Sequence, residues 1–221
     1  MTPSPTDGPT NYFSDDVVHV WWFDRQGAIQ SHGINFVQNL PHFLVLLLAF
    51  QRMSQEDWGI NTHLRRLDAS GCLHFSLPES SPVNVVINPD DVVYRQFSLQ
   101  GRGTTVVGAD KKRVVKVSWP EATRTNEAAI IKRALEGKSP HTRGHLPEFF
   151  CSYDFDEFST SLIRGDLGIE YEKRGARTLR ILLFNRLSPI TKLTGEAFWK
   201  AFWECYYCEF ALFHSISRHC Y

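Results

Sequence analysis

Lys116 stands in the apolar run VVKVSW, where an ammonium between valines must be paired or lifted to solvent. Eleven residues later Glu127 lies in TNEAAIIKRA, a stretch with helical spacing. Upstream, Gly101 and Gly103 make a G-x-G in LQGRGTT, followed by Thr104 and Thr105. Residues without a β-carbon let backbone N–H groups come close to a phosphate. Each feature also has an ordinary explanation: a hairpin turn, a lysine guarding a sheet edge, a solvated helical carboxylate. Together and in this order they point to a cradle for nucleotide phosphates, with Lys116 on the phosphates and Glu127 orienting it.

Three strands are needed to position these groups, and residues 92–99, 104–109 and 113–118 read as such, with GADKK closing the second hairpin. Ser118 and Glu121 have capping-box spacing and Pro120 suits a first helical turn, so a helix is predicted from there to about 135. EGKSPHTRGHLP reads as a loop. A weaker region with strand-like patches follows, including the polar insert RGDLGIEYEKRGAR, before the clear strand LRILLF at 179–184. NRLSPI then links to a helix over about 195–215.

Before this block, the opening 1–16 is rich in proline, serine, threonine and aspartate and reads as a disordered tail. The β-branched and aromatic run 17–23 and AIQSHGI form a hairpin around DRQG. A helix covers about 35–53, with Phe36, Leu40, Phe43, Leu44 and Leu47 on one face, and Pro41 places its true start near that proline. Its run FLVLLLAF reads as a buried segment, and LHFSL and VNVVI as two short strands.

Lysine plus arginine and aspartate plus glutamate number 24 each, so charge favours neither nucleic acid nor an anionic membrane as partner. The longest apolar run, at 43–50, is far short of the roughly 20 residues of a membrane span. Five cysteines without a disulfide framework or a secretory leader point to a reducing, intracellular compartment, cytoplasmic or nuclear. Cys205 and Cys208 form a C-x-x-C with no second pair, read as helix packing, and the histidines show no metal-ligand spacing. GDLG at 165–168 reads as a loop.

DRQGAIQSHGINF, LPHFLVLLLAFQR, EDWGIN, GRGTTVV, VVKVSWPEATRTNEAAIIKRA, HLPEFF and LRILLFNRLSPITKLTGEAFWKAFWEC, in this order, resemble the fungal-type protein kinase family from about residue 17 to the end. The resemblance implies an α+β fold: a protein-kinase-like small lobe of antiparallel sheet plus one helix over 92–187. A family-specific extension over 17–91 would precede it and the start of a helical large lobe over 188–221 would follow. It implies ATP with Mg2+ and, for the family, phosphorylation of protein serine or threonine. By position, Gly101 and Gly103 fall in the glycine-rich loop, with Val106 where a third glycine belongs. Lys116 is the phosphate-contacting lysine, Glu127 its ion-pair partner, and Phe184, Asn185, Arg186 and Leu187 the hinge at the adenine.

The sequence contains no H-R-D and no D-F-G motif. Laid on the family pattern, His219 meets the motif histidine, with Cys220 and Tyr221 in place of arginine and aspartate. A phenol of pKa about 10 stays neutral and cannot do that aspartate's work. No catalytic residue is therefore assigned, and the expectation is a chain truncated before its catalytic loop that at most binds nucleotide. The alternative is a non-catalytic module docking a partner protein. FWKAFWECYYCEFALF is apolar on almost every face and needs partners on all sides.

Overall fold

The computed structural model describes residues 16–60, 64–66, 73–76, 84–110, 112–136, 142, 145–169 and 175–217. The expected tail, residue 16 excepted, and His219, Cys220 and Tyr221 lie outside them.

The chain divides into two compact units, one over 1–23 and 28–61 and the other over 24–27 and 62–221. The first holds β1 (Val17–Val18), β4 (Ile34–Asn35), α1 (Leu40–Arg52) and, apart from Asp24 and Gly27 at their turn, β2 (Trp21–Asp24) and β3 (Gly27–Gln30). β2 and β3 pair as the expected hairpin, while β1 pairs with β4 through Val17 and Asn35. α1 begins beside Pro41, whose missing N–H costs nothing in a first turn. It has no buried residue, which corrects the expectation for FLVLLLAF: Leu44, Val45, Leu47 and Leu48 are exposed. A helix apolar on most sides needs more neighbouring chain than these short strands supply.

The second unit is built on a seven-stranded antiparallel sheet. Its strands are β5 (Leu64–Arg66), β6 (Leu73–Ser76), β7 (Asn84–Arg95), β8 (Thr105–Ala109), β9 (Arg113–Ser118), β10 (Phe149–Phe155) and β11 (Leu179–Asn185). They lie in the order β10-β11-β9-β8-β7-β6-β5. The helices are α2 (Glu127–Glu136), α3 (Thr160–Asp166) and α4 (Gly195–Ser217).

Alternation along the strands divides the core between the two faces. Val107, Ala109, Val115, Ile181 and Leu183 pack on one face with Val85, Ile87 and Phe155. Val114, Leu182 and Phe184 pack on the other against Ala128 and Ile131 of α2. β11 is buried from Leu179 to Phe184 because both faces are covered, which is why LRILLF is an unbroken run rather than an alternating one.

Three sequence expectations are corrected here. VNVVI and the strand expected at 92–99 are one strand, β7, carrying register shifts between Asn88 and Tyr94 and ending at Arg95. The helix expected from Ser118 begins at Glu127, because Ser118 is still sheet and Glu121 bridges to Arg177. Backbone bonds from Ala122 N–H to Ala176 (2.8 Å) and from Thr178 N–H to Pro120 (3.2 Å) tie 120–122 to 176–178, so tertiary pairing overrides the capping box. The polar patch around 160 contains a helix, α3, capped by Ser159; Gly165 and Asp166 of GDLG belong to its last turn rather than to a loop.

α4 matches the aromatic helix expected near 195–215, and its rings meet along the helix, Trp199 with Phe202 and Trp203 with Tyr206 edge to face and Trp203 with Tyr207 tilted. Trp199, Trp203, Tyr206 and Phe210 remain exposed, and Cys208 is its buried residue among those whose side chains are described.

Leu182 is fully buried between β9 and α2, whereas Leu135 on α2 is exposed. Leu182→Ala is therefore expected to destabilise by about 2–5 kcal/mol and Leu135→Ala by less than about 0.5 kcal/mol, as read by urea unfolding.

Candidate functional site

Lys116 lies on β9 opposite Val106 of β8 and Leu182 of β11, on the face that carries Val114 and packs against α2. Its ammonium donates to both carboxylate oxygens of Glu127, at 2.9 and 2.6 Å. The pair is half-buried, so it is neither fully desolvated nor freely screened. The spacing of eleven residues suffices because Glu127 is the first residue of α2 and the chain leaves β9 through a tight turn, in which Arg124 N–H donates to the Glu121 carbonyl at 3.0 Å.

A second group, missed in the sequence, fixes that helix start. Asn126 Oδ1 accepts from Ala128 N–H at 2.8 Å, capping α2, and its Nδ2 donates to Asp154 at 3.2 Å. Asp154 in turn receives both arms of Arg180, at 2.6 and 2.7 Å, from directly across the β10–β11 ladder. Arg180 is buried at 8% exposure, so Asp154 is what makes its charge tolerable there. The available signal was a charge in each of two otherwise apolar strands, FFCSYDF and LRILLFN, but their pairing register is not local information.

Gly101 and Gly103 sit in the turn between β7 and β8 with φ of 101° and 49°, backbone conformations that suit glycine. Gln96 N–H to Thr104 carbonyl, at 2.9 Å, closes the turn's base. Val106, in place of a third glycine, packs against the cluster shared by β9, β11 and α2. The loop thus joins directly to the strand position facing Lys116.

The four expected hinge residues continue and leave β11. Phe184 is buried opposite Val114 and Asn185 lies opposite Arg113. Asn185 is thus three ladder positions from Leu182, the residue facing Lys116, about 10 Å along the strand. The N–H groups of Asn185 and Arg186 are already bonded, to the carbonyls of Glu148 (3.0 Å) and Lys112 (2.7 Å). Leu187 is exposed, and Asn185 Oδ1 is buried without a partner. A cavity of about 660 Å3 opens here, lined by Asn185, Arg186, Leu187, Arg113 and Phe150; Lys116 and Glu127 are not part of its wall.

Arg186 also pairs with Asp91, whose carboxylate lies where a β-carbon on Gly108 would stand; the glycine in β8 leaves that room. The Arg186 hydrogen bond holds the Asp91 carboxyl below the usual carboxylate range. Cys205 and Cys208 are free thiols, one exposed and one buried, and burial pushes the Cys208 thiol up. Among the described residues no group of three or more His, Cys, Asp or Glu is placed to hold a metal ion, and no helix is long and apolar enough to cross a membrane.

A family model described as fungal protein kinase matches residues 10–168. No curated protein and no solved structure matches the chain. The matched segment includes Gly101, Gly103, Lys116 and Glu127 and ends before β11, so the hinge residues and α4 lie beyond it.

Two ion pairs give opposite expectations. Asp154→Ala leaves Arg180 buried and unpaired and is expected to cost roughly 3–5 kcal/mol in denaturant unfolding, whereas Lys116→Met, at a half-open pair, costs about 1 kcal/mol or less. For Asp91 the folded value is depressed, so its pairing with Arg186 contributes above the unfolded-chain value and is lost as pH falls through the lower folded one. Carbon-13 NMR of the Asp91 carboxyl is expected to show a midpoint below about 3.9, rising in Arg186→Gln.

Proposed function

Because the chain belongs to the fungal protein kinase family, we propose that Lys116, Glu127 and the Gly101–Gly103 turn form the phosphate end of an ATP site, with residues 184–187 at the adenine end. The carrying observation is the two-oxygen contact between Lys116 and Glu127 on the sheet face beside α2. A lysine fixed by a carboxylate presents a point charge at a defined place, which suits α- and β-phosphate oxygens. The unpartnered Asn185 Oδ1 is a buried acceptor beside the hinge cavity and fits a base's exocyclic amine. ATP supplies a transferable γ-phosphoryl group, and Mg2+, which favours phosphate oxygens and water, would arrive with the nucleotide.

These 221 residues contain no H-R-D aspartate to orient an acceptor hydroxyl and no D-F-G aspartate to hold metal. The reading for this stretch is therefore nucleotide binding without transfer to protein serine or threonine. A second reading, docking to a partner protein, draws on the exposed rings of Trp199, Trp203, Tyr206 and Phe210 along α4, an apolar surface of the kind that interfaces use.

Thermal unfolding with Mg·ATP separates the two. Nucleotide at a hundred times its Kd is expected to stabilise the folded chain by about 2.7 kcal/mol. Lys116→Met and Glu127→Gln should abolish most of the shift, and transfer of labelled γ-phosphate to a protein substrate should be absent. An equal shift in Lys116→Met would sink the nucleotide reading.

A further inference from the structure

The turn Asp24–Gly27 belongs to the same compact unit as the seven-stranded sheet, although it lies more than seventy residues before the glycine loop. Asp24 builds it: Oδ1 accepts from Gln26 N–H (2.7 Å) and Gly27 N–H (3.0 Å), and Gly27 takes φ 144°. The same carboxylate, 5% exposed, receives both arms of Arg164 from α3 at 2.8 Å each, so the turn is anchored on a helix.

From that anchor the turn grips the glycine loop. Arg25 carbonyl accepts from Gly101 N–H at 2.9 Å. Its guanidinium donates to the Ser98 carbonyl at 2.6 Å and the Leu99 carbonyl at 3.4 Å. Gln26 carbonyl accepts from Gln100 Nε2 at 3.1 Å. The guanidinium lies so close to Gly103 that a β-carbon there would run into it, so the glycine is required for the contact as well as for its φ of 49°.

We infer that Arg25 is a positioning residue for nucleotide binding, acting through the glycine loop as part of a strap that holds residues 98–103 in one shape. The inference rests on the nucleotide reading above. A two-glycine loop has many conformations in the free chain, and a loop held beforehand loses less freedom when a ligand orders it. The strap is also releasable. Ser98 Oγ and Gln26 Oε1, on its two sides, are both buried without a hydrogen-bond partner, so opening the seam returns two polar atoms to water. Sequence changes at 25 or at Arg164 therefore alter the loop without touching Lys116 or Glu127.

The test uses the full chain and two readouts: amide hydrogen exchange of residues 98–104 without nucleotide, and Mg·ATP affinity by calorimetry. Arg25→Ala is expected to speed loop exchange and weaken Mg·ATP roughly three- to tenfold. Arg25→Lys, a single point donor in place of a fork, should recover part of both, and Lys116→Met should leave nucleotide-free loop exchange at the wild-type rate. Unchanged exchange in Arg25→Ala overturns the inference, as does faster exchange with unchanged or tighter Mg·ATP binding. Absence of Mg·ATP binding in the wild type defeats the underlying nucleotide reading, and this inference with it, whatever Arg25 does. Should Arg25→Ala fail to fold, Arg164→Ala, which releases the turn's anchor at Asp24 without substituting any residue of the loop, is read in the same way.

Discussion

An ammonium inside a packed β-sheet is the constraint around which the second unit is arranged. Lys116 sits between Val115 and Val117 and opposite Leu182, so its charge must leave the sheet on the α2 face or find a carboxylate there. Glu127 meets it only because α2 begins at that residue, and α2 begins there because Asn126 caps it and is itself tied to Asp154 and Arg180. The ion pair is thus the end of a chain of contacts reaching across β10, β11 and the helix start. Asp154 is the shared link, since its replacement by an apolar residue would leave both Arg180 and Asn126 Nδ2 without their partner.

Magnitudes identify which of these contacts hold the fold and which present chemistry. The Arg180–Asp154 pair has a nearly inaccessible guanidinium, where losing one partner costs several kcal/mol. The Lys116–Glu127 pair is half-open and contributes about 1 kcal/mol or less. A valine or isoleucine at 116 would serve the strand as well or better. Stability therefore does not account for this lysine, and a geometry that sets a cation at one point does.

What could be read from the sequence was what short-range pattern determines. β-Branched and apolar runs bounded by turn signals gave β8, β9 and β11, and the order of lysine strand and acid-bearing helix gave the two side chains that meet. The start of α2 was misplaced because Ser118 and Glu121 satisfy a local capping rule that pairing with 176–178 overrides. Arg180 with Asp154, Arg186 with Asp91, and Arg25 with Ser98 are 26, 95 and 73 residues apart, so no local window contains both partners. α1 was legible as a helix and not by its exposure, since an apolar run specifies what a helix would bury and not whether anything covers it.

The β7–β8 loop shows how one short segment can serve two demands. Gly103 takes a positive φ that glycine adopts without strain, and the space that its missing side chain leaves is filled by the Arg25 guanidinium. Gly108 repeats the arrangement at the other end of β8, where the space is filled by the Asp91 carboxylate on its way to Arg186. In both cases a glycine in or beside the strand admits a charged group from a distant part of the chain, a cation at the loop end and an anion at the hinge end. The strand that faces Lys116 therefore meets charged side chains at both ends, while its centre, Val106 and Val107, is held by apolar packing and by the backbone ladders to β7 and β9. Such a strand keeps its register through the core and has its two ends set by charged side-chain contacts.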